Sequence, residues 1–165
     1  MKNIYKIALA VTSIAVSFTS LAASDLLVTS SLSMANNNKV ISGSEQYLDF
    51  EFLNENNATS MQFIVDLNGV PEKSVNFKGC VSKLPKTHQG GCNIVDGKLK
   101  VIVFSLTNTV IPTGAIGSIS FNLGEKSLNK VAGITVKDMI LAAPNREKIK
   151  GSTLLDHSSI NKILK

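Results

Sequence analysis

The chain has 165 residues, a length that suits one domain, and charged side chains make up only 18% of it. Its formal charge of +5 is scattered, with no run of five like charges, so a nucleic-acid-binding footprint is not supported. Beyond the N-terminus no apolar stretch approaches the roughly 20 residues that span a bilayer, so no membrane span is expected there.

The N-terminus has the three parts of a secretory signal. Lys2 and Lys6 form a basic start, Ile7 to Phe18 is mostly apolar, and Ser20-Leu21-Ala22 places small residues where a signal peptidase reads them. Cleavage is expected after Ala22, or alternatively after Ala23. Residues 1–22 are therefore assigned to the leader, 23–150 to the folded domain and 151–165 to a tail that forms a last strand or a short helix. Losing Lys2 and Lys6 lowers the charge from +5 to +3. The mature protein is expected in the periplasm or outside the cell.

The rest of the chain alternates with period two, the mark of strands with one buried face. Leu26 to Leu32 is a weak first strand. Asn36-Asn37-Asn38 and Ser42-Gly43-Ser44 then mark turns. From Tyr47 to Leu53 the apolar set is Leu48, Phe50 and Phe52. Asn54-Glu55-Asn56-Asn57 separates this strand from Ser60 to Leu67, whose inward set is Met61, Phe63, Val65 and Leu67. Asp96-Gly97 is a hairpin turn between Asn93-Ile94-Val95 and Lys98 to Phe104. After the turn at Pro112-Thr113-Gly114, Gly117 to Leu123 alternates again. Ile134 and Val136 then fall out of phase with Met139 and Leu141, and a β-bulge near Lys137-Asp138 would return both pairs to the core. Glu125 to Val131 and Ser158 to Leu164 are the two places that read as short helical turns. Many short strands with regular turns predict an all-β antiparallel sandwich, a jelly roll of about nine strands.

Cys80 and Cys92 lie 12 residues apart in the exported part. An oxidising compartment favours pairing them, and closing such a loop would stabilise the fold by roughly 3 kcal/mol. Two cysteines with His88 as the only nearby histidine do not complete a zinc site. No G-x-S-x-G elbow occurs, and His88, in the Lys86 to Gly91 loop, is expected to be solvated. Asp66-x-Asn68-Gly69 lacks the remaining ligands of a calcium loop and reads as a turn. No catalytic residue, metal site or cofactor is expected.

The order of these signals resembles the cohesin domain and its carbohydrate-binding-module relatives. The resemblance runs from about Leu26 to Ile149. It is carried by Gly43-Ser44-Glu45 to Phe52, by Thr59 to Asp66, and by Val95-Asp96-Gly97-Lys98 to Leu106. Gly114 to Phe121 and Ile134 to Asn145 complete it. Each motif is degenerate, and the ordered set carries the likeness. It implies a nine-stranded jelly roll without catalysis that docks a dockerin or another exported protein on one flat sheet. Carried over by motif, that sheet holds the strands at Ser60, Asn93, Lys98 and Ile134. Their outward side chains are Gln62, Ile64, Asp66, Lys98, Lys100, Ile102 and Thr135. The Cys80/Cys92 pair departs from the pattern, and a single domain with no further module is expected. A glycan partner is the alternative, disfavoured because the exported part has no Trp and only Tyr47 as a tyrosine. A pilus-type surface subunit is a third reading.

Overall fold

The computed structural model describes residues 24–32, 45–122, 130–131, 133–149 and 151–156. The expected leader, the turns at Asn36 and Ser42 and the Ser158 to Leu164 segment lie outside these residues. Of Glu125 to Val131 only Lys130 and Val131 are described, and both are helical.

Ten strands are described: β1 Ser24–Leu32, β2 Glu45–Leu53, β3 Ser60–Asp66, β4 Val75–Asn76, β5 His88–Val95, β6 Lys98–Ser105, β7 Gly114–Asn122, β8 Thr135–Ala142, β9 Lys148–Ile149 and β10 Gly151–Asp156. They form two five-stranded sheets in the orders β10-β1-β2-β7-β4 and β5-β6-β3-β8-β9. All pairings are antiparallel except β1 with β10, which runs parallel from Ser24 beside Gly151 to Thr29 beside Asp156. The all-β sandwich expected from the periodicity is therefore the observed fold, with two of its strands only two residues long.

The core lies where parity places it. Leu48, Phe50 and Phe52 from β2 face Met61, Phe63 and Val65 from β3, all buried. The Phe50 and Phe63 rings meet edge to face with centroids 5.3 Å apart. Leu99, Val101 and Val103 from β6 and Ile119 and Phe121 from β7 complete the two inner faces. Asn54 holds one end of the sandwich together. Its side-chain amide donates to the carbonyls of Ala58 (2.9 Å) and Ile111 (2.6 Å), while its Oδ1 accepts from the Ala58 N–H (2.9 Å).

The bulge falls where the apolar phase slips. Gln62 pairs with Ile140 and Ile64 with Lys137, so Asp138 and Met139 together oppose Phe63. Asp138 takes the left-handed conformation at φ 53°. As a result Ile134 and Leu141 are both buried, with Val136 and Met139 packed against the core.

The cysteines are bonded, with Cα atoms 6.5 Å apart. Cys80 closes a turn that is pinned to β7, where the Ser118 N–H donates to the Gly79 carbonyl (2.9 Å) and the Lys83 N–H to that of Ile116 (2.8 Å). Only glycine fits at 117 on β7, because a Cβ there would overlap the carbonyls of Gly79 and Cys80. Cys92 sits on β5 in the other sheet. The disulfide therefore ties the two sheets together along one edge.

His88 corrects the reading from sequence. It opens β5 and is buried. Its Nε2 lies 3.2 Å from the Thr109 carbonyl and its Nδ1 3.0 Å from the Thr87 hydroxyl. A carbonyl only accepts, so Nε2 carries the proton, and in the neutral ring Nδ1 accepts from Thr87. The ring closes the end of the β5–β6 ladder and is a structural residue.

Candidate functional site

The outer face of the β5-β6-β3-β8 sheet is built by alternation along β5, β6 and β3 and by the bulge on β8. Phe63, Val65, Val101 and Val103 point inward, so their neighbours point outward. Register sets them in rows across the sheet. Gly91, Ile102, Gln62 and Ile140 form one row, and Asn93, Lys100, Ile64 and Lys137 the next. Val95, Lys98, Asp66 and Thr135 form the third. All seven residues singled out from sequence thus stand on this one face. Lys98, Lys100, Ile102 and Thr135 are exposed, whereas Gln62, Ile64 and Asp66 on the central strand are half-buried.

Two residues on this face escaped the sequence reading. They are Ile140, 46% exposed like Ile102, and Phe104, 41% exposed. Ile140 is turned outward by the bulge, and Phe104 by one further step of alternation along β6. The face therefore has an apolar end, made by Phe104, Ile102 and Ile140, and a charged end.

The charged end is organised by one ion pair. Lys137 Nζ donates to Asp66 Oδ2 at 2.8 Å, diagonally across β3 and β8. That hydrogen bond, with help from the Asn68 N–H on Oδ1 (3.2 Å), holds the Asp66 carboxyl below its ordinary range. The same contact raises Lys137 above the usual lysine value. The Asn68-Gly69 segment is a tight turn closed by the Val70 N–H on the Leu67 carbonyl (3.0 Å), with both residues at positive φ. At the other side of this end, Asp96 and Gly97 form the two-residue hairpin, also both at positive φ. Among the described residues no three His, Cys, Asp or Glu side chains gather as metal ligands. No described helix is long and apolar enough to cross a membrane.

The opposite face, on the β10-β1-β2-β7-β4 sheet, differs in the charge of its described strands. Its described strands carry five acidic residues and no Lys or Arg. The strands of the β6 sheet carry four lysines against two aspartates. Leu27, Leu53 and Leu154 line a groove of about 490 Å³ on the acidic face, flanked by Asp25 and Glu51.

No family model matches the sequence, and neither does any curated protein. Solved structures do share the architecture. A non-cellulosomal cohesin from Archaeoglobus fulgidus aligns over 81% of this chain and 87% of its own, with a TM-score of 0.52 at 11% identity. This is a cohesin-like fold. A type II cohesin domain from the cellulosome of Acetivibrio cellulolyticus aligns over 82% of this chain and 92% of its own (TM-score 0.51, 12% identity). The sixth cohesin of scaffoldin B from the same organism was solved in complex with a dockerin. It aligns over 79% of this chain and 97% of its own (TM-score 0.50, 13% identity). At such identities the likeness speaks for the cohesin-like fold, and the side chains on its faces must be read for themselves.

Proposed function

We propose that this cohesin-like domain is an exported, non-catalytic recognition module that binds a protein through the outer face of its β5-β6-β3-β8 sheet. The observation that carries the reading is the composition of that face. Phe104, Ile102 and Ile140 stand exposed together, beside Lys98, Lys100 and the Asp66–Lys137 pair. An exposed apolar cluster bordered by charged side chains is a common composition of protein interfaces. A solved cohesin of the same fold carries a dockerin, which makes a protein partner the leading class.

Export is supported by the leader pattern and by the disulfide, which belongs in an oxidising compartment. Ser24 is already buried, and its hydroxyl donates to Asn54 Oδ1 and accepts from the Asn56 N–H (3.3 and 3.1 Å). A cut after Ala22 or Ala23 thus falls just ahead of the first strand. N-terminal sequencing of the exported protein should read from Ala23 or Ser24, and a membrane-held chain still starting at Met1 would overturn cleavage.

The binding face is tested by Ile102→Asp. The side chain is exposed, so circular dichroism should show a folded variant. Immobilised wild-type protein and the variant are each exposed to exported proteins of the producing cell. A partner held by the wild type should bind the variant at least about tenfold more weakly, since charge at an interface centre is left unpaired. Equal retention of a folded variant would move the site elsewhere, to the loop at Lys83 to Gly91. Retention of soluble glycans in place of protein would favour the carbohydrate reading.

A further inference from the structure

We propose that the two outer faces of the sandwich are complementary halves of one head-to-tail interface, so that the acidic face of one copy seats on the basic face of the next. This rests on the reading of the β6 sheet as a protein-binding face and names a second copy of the chain as its occupant.

Three observations lead there. The first is the charge carried by the described strands of each sheet: five carboxylate residues and no base on one, four lysines and two aspartates on the other. Such asymmetry attracts a copy in one orientation and repels the two like-on-like orientations. The second is that each face also exposes apolar side chains. Leu53 and Leu154 border the groove on the acidic face, while Ile102, Phe104 and Ile140 project from the basic face. A groove opposite a projection is the shape relation that an interface needs. The third is placement: the faces lie on opposite sides of the sandwich, so one copy engages two neighbours at once. Different patches in contact make a heterologous interface, and with the patches on opposite sides of the molecule it grows into an open filament rather than a ring.

Size sets the strength. Five strands at about 4.8 Å spacing and about seven residues at 3.3 Å give each face roughly 500 Å². The total lies near the lower bound for a specific interface, so association should be weak and dependent on concentration and salt.

The test uses protein expressed from its full coding sequence and followed by analytical ultracentrifugation. Wild-type protein should grow in mass with concentration, and its apparent association should fall roughly tenfold between low and high salt. Glu51→Lys with Leu154→Lys spoils the acidic face. Ile102→Lys with Ile140→Lys spoils the basic face without making it acidic. All four residues are exposed, and circular dichroism checks that each variant is folded. Each variant alone should remain monomeric. Mixed in equal amounts they should form a two-chain species and nothing larger, because one intact acidic face meets one intact basic face and the ends are blocked. Wild-type protein that is monomeric throughout, or a mixture that does not pair, would overturn the inference. A wild-type dimer that does not grow and ignores the Glu51/Leu154 changes would show a symmetric pair instead, which also overturns it. Loss of an exported partner on Ile102→Asp in a strictly monomeric protein would remove this inference while leaving the recognition module standing.

Discussion

At the scale of single residues, the charged end of the face turns on Asp66. Its carboxyl is held low chiefly by the hydrogen bond from Lys137, then by the Asn68 N–H. A group with a depressed folded pKa contributes stability above its unfolded value and loses that contribution as pH falls through the folded one. Lys137 mirrors this at the alkaline end, where its contribution is lost as pH rises through its raised value. The pair is therefore intact from the mildly acidic range to well above neutrality. Both side chains reach solvent, so the ion pair fixes geometry more than it adds stability. We expect the Asp66 carboxyl, followed by NMR, to titrate below the ordinary aspartate range in the wild type. In Lys137→Met the midpoint should move upward while the fold is unchanged. A midpoint that does not move would mean that the Asn68 turn alone sets the carboxyl. At the other end of this sheet His88 is packed between Thr87 and the Thr109 carbonyl.

At the scale of elements, β8 shows how a local irregularity shapes a face. Asp138 is the extra residue that lets Lys137 and Ile140 both point outward, and it occupies positive φ. A β-branched residue is strained there, whereas glycine is not. Asp138→Val should cost about 1–2 kcal/mol in urea unfolding, and Asp138→Gly should stay within about 0.5 kcal/mol of the wild type. Equal losses for both would show that the Asp138 side chain, not the backbone, matters. Most of this architecture was legible because one buried face forces alternation: β2, β3, β6 and β7 stand where Phe50, Phe63, Val101 and Ile119 place them. The bulge was legible as a break in that same alternation. β10 was harder to read, because adjacent Leu154 and Leu155 do not say which side is inner and its partner β1 lies at the other end of the sequence. His88 was misread for a related reason, since its burial depends on a carbonyl 21 residues away. Phe104 needed only one more step of parity, but Ile140 needed the bulge's exact register before its side could be assigned.

At the scale of the whole molecule, the Cys80–Cys92 bond is a covalent cross-link between layers that also meet through packed side chains and a few hydrogen bonds, such as those of Asn54. Cys80 belongs to the turn fastened on β7 and Cys92 to β5, the last strand of the opposite sheet. The bond closes a short stretch of sequence, yet in space it joins the two layers at an open edge. In the chain-entropy view its removal acts mainly on the unfolded state, which becomes free to expand. Replacing both cysteines by serine should therefore lower stability by about 2–4 kcal/mol. The midpoint in urea should fall, and the slope of the transition should rise slightly, because the freed chain exposes more surface on unfolding. The same experiment reads the face. β5 supplies its outer row at Gly91, Asn93 and Val95, beside Ile102, Lys100 and Lys98. If the bond holds that edge in place, the serine variant should bind a partner more weakly even under conditions where it remains folded. If stability falls but affinity does not, β6, β3 and β8 position the face without help from the staple.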